Sequence, residues 1–168
     1  MSSETSILVG VAQGTVWIRV DGKGNFQNST SLKDFSREML ARGHKRFIVD
    51  LRCCPLMDST FMGTLAGIAL KLHGVENGGV EIVNMNDRTR SLLSNLGLDQ
   101  LLALQPLAEG GVCVPCETQS LPKDHCDKVT QATTMLEAHE AVVEANPQNE
   151  AKFKDVLEYL RHDLEVKS

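Results

Sequence analysis

A strand-like run leading into a helix cap constrains this chain more than any other feature. KRFIVDL at residues 45–51 is nearly continuous apolar, which suits a central strand covered on both faces. A short irregular connection, RCCP, follows, and at Asp58-Ser59-Thr60 the residue types change from strand and loop to helix. Asp, Ser and Thr are the side chains that satisfy the free N–H groups of a helix's first turn. Apolar residues then fall at Phe61, Leu65, Ile68 and Leu72, with Met62, Ala66 and Ala69 beside them. That spacing predicts a helix whose wide apolar face lies against a sheet. Gly63, inside the first turn, costs about 1 kcal/mol relative to Ala, a cost that a close backbone approach would explain.

The flanking pattern repeats the alternation. Ile7–Val11 and Thr15–Val20 read as two strands joined at Gln13-Gly14, with Val16, Ile18 and Val20 alternating with Trp17 and Arg19, the signature of a half-buried sheet. Ser29-Thr30-Ser31 can cap a helix that runs to about Ala41 with Leu32, Phe35 and Met39 on its apolar face. Gly78–Met85 holds a further strand, Asn86-Asp87 caps a short helix bearing Leu92, Leu93 and Leu96, and Leu101–Leu107 is a plausible last strand. The order β-β-α-β-α-β-α-β implies an α/β fold with parallel pairs and right-handed crossovers. Ser59 then lies past the carboxyl end of a central strand, where open α/β sheets place their sites.

Beyond this unit the composition changes. Residues 1–116 carry 11 acidic and 11 basic side chains, whereas residues 117–168 carry 11 and 6, which accounts for the whole net charge of −5. Val129, Ala132, Met135, Leu136 and Val143 mark one amphipathic segment; Asn146-Pro147 starts another, with Phe153, Val156, Leu157, Leu160 and Leu164 as its stripe. We expect a domain over 1–110, a linker over 111–124, and a helical hairpin over 125–168. Its stripes must be buried against each other, against the domain or against a second chain, which makes a homodimer one expectation.

Charge and hydropathy exclude several classes. An acidic chain without a basic cluster is a poor match for nucleic acid or for anionic membrane surfaces. No run of about 18 apolar residues exists, and MSSETSILVG lacks a signal sequence's basic and apolar regions, so a cytoplasmic protein is expected. The cysteines, Cys53, Cys54, Cys113, Cys116 and Cys126, are expected as thiols. Cys113-Val-Pro-Cys116 has the spacing of half a zinc site, followed by His125 and Cys126, yet a second CxxC or HxxxH is missing. No metal and no cofactor are expected. Cys53 and Cys54 read as loop-packing residues, or as thiols placed to sense oxidation.

The chemistry of the Ser59 region is a hydroxyl at a positive place. A helix N-terminus carries roughly half a positive charge and unpaired N–H donors. A phosphate on Ser59 would bring about −1.5 to −2 charge into a neutral patch and repel a docked partner without unfolding the domain. The other reading of the same residues is a cap and nothing more.

An apolar strand, a loop ending in Met57-Asp58-Ser59-Thr60, then Phe61-Met62-Gly63 and a buried helix resemble the STAS domain, and more narrowly the bacterial anti-sigma-factor antagonists. In that family the segment reads much like MDS-S/T-G-L-G, and the serine after the aspartate is phosphorylated by a partner kinase. The resemblance covers about residues 6–108 and implies a STAS-like four- to five-stranded mixed sheet with helices. It places the acceptor at Ser59, with Thr60 as a secondary hydroxyl. Gly63 matches the family's second glycine, and Phe61 replaces the first. Asp21-Gly22-Lys23-Gly24-Asn25 and the adjoining Phe26 stand where the family has a GELD-like loop beside the phosphorylated serine. The resemblance thus implies partner contacts at Asp58, Phe61, Met62, Asp21 and Phe26, a serine/threonine-kinase anti-sigma factor as partner, and a phosphatase that resets the switch.

An enzyme reading finds little in the residues. GxSxG, HExxH and the P-loop are absent. Asp58 and Ser59 are adjacent and cannot act as base and nucleophile without a third group; His73 lies at the far end of the same helix, and no pattern brings another histidine near. A different class remains open, a STAS scaffold subunit of a transporter or other membrane complex that does not use the serine as a switch.

Overall fold

Gln13 and Gly14 both take positive φ, 53° and 78°, the geometry of a tight hairpin turn whose twist matches its strands. That turn joins β1 (Ser6–Ala12) to β2 (Thr15–Asp21) antiparallel, with Val9 opposite Ile18. In the computed structural model, which describes residues 5–106, 118–122 and 127–167, helices and parallel strands then alternate: α1 (Phe26–Ala41), β3 (Arg46–Asp50), α2 (Ser59–Leu72), β4 (Gly79–Met85), α3 (Asp87–Asn95), a 3-10 turn (Leu98–Gln100) and β5 (Ala103–Pro106). A two-residue strand, β6 (Gln119–Ser120), and helices α4 (Lys128–Ala145) and α5 (Asn149–Lys167) follow. The sheet order is β5-β4-β3-β2-β1-β6, parallel from β2 to β5 and antiparallel at β1. This is the expected mixed α/β sheet with its C-terminal hairpin, extended beyond the expected four to five strands by the short β6 at the β1 edge.

One row of side chains explains the register. Val9, Ile18, Val49 and Ile82 pair in sequence across four strands, and all are buried. Sliding any strand by one residue would turn its half of this row to the other face. The core behind it includes Leu32 and Met39 of α1 and Phe61, Leu65, Ile68 and Leu72 of α2. β3 departs from expectation. Phe47 and Val49 are buried, yet Ile48 between them is only half-buried, because the core joining the helices to the sheet gathers Phe47 and Val49 and not Ile48.

Two boundaries also differ. α1 begins at Phe26, not near Ser29–Ser31, because Asn25 is its cap. The Asn25 side chain accepts from the Gln27 N–H at 3.0 Å, and the Asn28 side chain returns to the Asn25 N–H at 3.2 Å, a reciprocal box that satisfies first-turn donors. Ser29 and Thr30 are instead buried inside the helix. The linker expected over 111–124 falls mostly outside the described residues, and its described part supplies β6. That strand pairs Leu8 with Ser120 and covers the backbone edge of β1.

The C-terminal hairpin packs on its own domain. α4 lies against α2 and α1, and α5 lies against α4. The turn between them is fastened to the end of α3: buried Asn149 donates its amide to Leu96 O at 2.8 Å and Val142 O at 3.0 Å, and Lys152 Nζ donates to Asn95 O at 2.8 Å. Among the described residues, no helix is long and apolar enough to cross a membrane, and no group of three or more His, Cys, Asp and Glu could hold a metal ion. Cys113, Cys116, His125 and Cys126, the half zinc site, lie outside the described residues.

Candidate functional site

Two loops zip together to build the start of α2. Gly22 N–H donates to Cys53 O at 2.9 Å, Gly24 N–H to Leu56 O at 3.0 Å, and Asp58 N–H back to Gly24 O at 2.9 Å. The result is a short parallel bridge between Gly24 and Met57. It sets the first turns of α1 and α2 side by side, close enough for one carboxylate to serve both. Asp58 Oδ1 accepts from Phe61 N–H of α2 at 2.8 Å, and Oδ2 accepts from Phe26 N–H of α1 at 2.9 Å. Each cap contributes about 1 kcal/mol, and the negative charge complements the positive ends of two helix dipoles.

Phe61 explains why Gly24 is glycine. A Cβ at Gly24 would stand 2.8 Å from the Phe61 ring, and that ring is 0% exposed. The aromatic at the position where the resembling sequences have their first glycine therefore points into the domain. Met62, 5% exposed, and Thr60 are buried too. Phe61 and Met62, expected at a partner surface, and Thr60, expected as a second acceptor, thus offer no open side chain in this state. Phe26 is 37% exposed at the start of α1. Asp21 is turned to Arg19, accepting from its Nε at 2.8 Å, and Arg19 also reaches Cys53 Sγ at 3.3 Å. The Asp21 carboxylate is thus engaged along the loop rather than at Ser59. Cys53 is exposed and Cys54 is buried; burial pushes the Cys54 thiol up from its ordinary value, which makes it a packing residue rather than a reactive one.

Ser59 is the first residue of α2, directly after its cap. It is half-buried. Its Oγ lies 2.9 Å from Nε2 of His139, on α4, and Nδ1 of the same ring lies 2.6 Å from Met135 O. A carbonyl can only accept, so Nδ1 donates to it, and in the neutral ring Nε2 is then the acceptor for the Ser59 hydroxyl. The imidazole is 3% exposed and meets the Phe153 ring edge-on at 5.1 Å. Serine, imidazole and orienting carbonyl stand in the order that activates a nucleophile, but the imidazole is sealed under the body of its own helix against α2, and 2.9 Å leaves no room for a substrate between the partners.

His139 was not anticipated, since His73 is the only histidine on the Ser59 helix and the two residues are 80 positions apart. A signal was present. His139 sits four residues after Met135 and four before Val143, a polar ring within an apolar helical stripe, which calls for a buried hydrogen-bond partner.

The close approach inferred at Gly63 is also made by α4. A Cβ at Gly63 would collide with the Ala138 carbonyl, and one at Gly67 would stand 3.8 Å from Ala138's neighbour one turn on, the Ala141 Cβ. Thr30 and Thr134 hydroxyls meet at 2.9 Å in a buried contact, and Lys33 Nζ pairs with Glu137 at 3.2 Å. A groove of about 560 Å³ remains between α1, α2 and α4, with Lys33, Arg37 and Lys71 facing Glu137, Glu140 and Glu144.

Residues 8–105 match the family model described as Mlab, STAS domain. Similar solved structures include an anti-sigma factor antagonist from Mycobacterium paratuberculosis, at 24% identity and TM-score 0.55, over 66% of this chain and 94% of that one. The anti-sigma factor antagonist SpoIIAA in its unphosphorylated form is similar at 19% identity and TM-score 0.51, over 62% of this chain and 91% of its own. At these identities the likeness is one of fold. No curated protein sequence matches the chain. The family match ends before α4 begins.

Proposed function

The chain belongs to the STAS family, and on that premise we propose that it is a phosphorylation-switched regulatory protein of the anti-sigma-factor-antagonist kind, with Ser59 as the acceptor. The observation that carries this reading is the division of labour at the start of α2. Asp58 supplies the cap with both carboxylate oxygens, while the Ser59 hydroxyl bonds a side chain and no first-turn N–H. Removing capping from its duties leaves a hydroxyl at a helix N-terminus that helix stability does not require.

In this reading the unmodified Ser59 surface docks a serine-kinase anti-sigma factor and frees a sigma factor. The kinase transfers the γ-phosphoryl group of ATP: the bond from Ser59 Oγ to phosphorus forms, the bond to ADP breaks, and the hydroxyl proton passes to the kinase's base. The added charge then repels the partner, and a phosphatase restores the hydroxyl. Asp58 is a positioning residue for the helix start, Phe26 and Asp21 border the surface, and Thr60, being buried, is a weaker acceptor. The role asks for binding and release, not for a catalytic group in this chain. The test is incubation with purified serine-kinase anti-sigma factors and ATP, read by intact mass. One phosphate on the wild type and none on Ser59→Ala is expected; phosphate persisting on Ser59→Ala overturns the site.

A second reading is a STAS scaffold subunit of a transporter or other membrane complex, in which Ser59 is static. The closed Ser59–His139 contact favours it, because a half-buried, partnered hydroxyl is a structural one in most proteins. Purification that brings membrane components and no kinase, together with a Ser59 that stays unmodified, selects this reading.

A further inference from the structure

The contact between α4 and the STAS unit covers Ser59 and adds polar pairs to the apolar contacts of Ala141 and Val142. His139 takes the Ser59 hydroxyl, Thr134 takes the Thr30 hydroxyl, Glu137 takes Lys33, and the Ala138 backbone rests on Gly63. The turn is held by polar bonds from Asn149 and Lys152. Small residues bring the two helices close, Ala141 and Val142 of α4 join the apolar core beneath them, and the open groove beside them sets three cations of α1 and α2 against three carboxylates of α4. An apolar centre bordered by polar and charged pairs is also the make-up of protein–protein interfaces. α4 also lies beyond the residues that define the family's unit.

We propose that the α4–α5 hairpin is a separable intramolecular cover of the Ser59 surface, and that a docked hairpin and a phosphate on Ser59 exclude one another. This deepens the reading given above and rests on it for its biological meaning. The hydroxyl proton that Ser59 gives to Nε2 is absent from a phosphoserine. With Nδ1–H held by Met135 O and the ring only 3% exposed, a phosphate on Oγ has no room in the 2.9 Å that separates it from Nε2, so α4 must move for the phosphate to fit. Any partner that docks on the start of α2 meets the same obstacle, since the hairpin already occupies that surface. Hairpin and partner therefore compete, and the partner's apparent affinity is reduced by the fraction of molecules that are closed.

The experiment uses the full chain and no kinase. Phosphoserine is installed at position 59 during translation, and backbone hydrogen exchange is compared with the unmodified protein. Peptides of α4 and α5 are expected to exchange at least tenfold faster, with those of β3 and β4 unchanged; equal or slower exchange in α4 overturns the proposal. Gly63→Ala provides the uncharged counterpart, since its added Cβ meets the Ala138 backbone. Faster exchange confined to the hairpin supports separability, whereas collapse of protection throughout the sheet shows that the hairpin is part of the core and overturns it. Neither result depends on whether a kinase modifies Ser59, so failure of the cover and failure of the switch are told apart.

Discussion

The sheet-and-helix unit and the C-terminal hairpin meet on the same helix, α2, yet they hold it by different means. Toward the core, α2 contributes Phe61, Leu65, Ile68 and Leu72 to a cluster with Val49, Ile82 and Leu93. That side gains its stability from volume, and loses it in proportion to the cavity a truncation leaves. Toward α4 it presents Ser59, Gly63 and Gly67 to His139, Ala138 and Ala141. This side adds close backbone approach and polar pairs to the apolar contacts of Ala141 and Val142, so an atom added at Gly63 meets backbone there. The difference separates what keeps the domain folded from what keeps the hairpin seated.

Truncating the core side should have the largest effect. Phe61→Ala is expected to cost about 3–5 kcal/mol in the global unfolding free energy by urea denaturation; a loss under 1 kcal/mol would mean that the ring is not a core element. Asp58→Ala comes next. It removes a cap from α1 and another from α2, and at about 1 kcal/mol each should cost about 2 kcal/mol, with exchange accelerated in the first turns of both helices. If only α2 responds, the shared cap is wrong. On the hairpin side, Thr30→Val strands the buried Thr134 hydroxyl and should cost about 1–3 kcal/mol, and Thr134→Val added to it removes that hydroxyl too. The double variant should recover part of that loss, and a thermodynamic cycle that shows no coupling would argue against the contact. Smallest is Lys33→Ala. With the Glu137 carboxylate half in water, the pair is worth about 0–1 kcal/mol and less in high salt.

The legible part of the sequence was the part specified locally. Period-2 alternation in Val16, Ile18 and Val20 and helical spacing from Phe61 to Leu72 each determine an element through its own neighbours, and both elements appear where the pattern puts them. Gly63 declared a close approach but not its partner, because nothing local distinguishes one incoming backbone from another. The start of α1 was misplaced since Asn25 and Ser29–Ser31 are both competent caps, and only the Gly24–Met57 bridge decides between them. His139 was hidden by distance along the chain. A stripe with one polar member announces a buried hydrogen bond, but its acceptor or donor is known only once α4 has been laid across α2.

Phosphopeptide mapping of the protein isolated from its native cells tests the switch most directly. Trypsin releases Ser59 within the peptide Cys53–Lys71, small enough for the modified residue to be located by fragmentation. Phosphate on Ser59, on a fraction of molecules that changes with growth conditions, is the expected result. Recovery of that peptide only in its unmodified form, or with phosphate on Thr60 and never on Ser59, would contradict it.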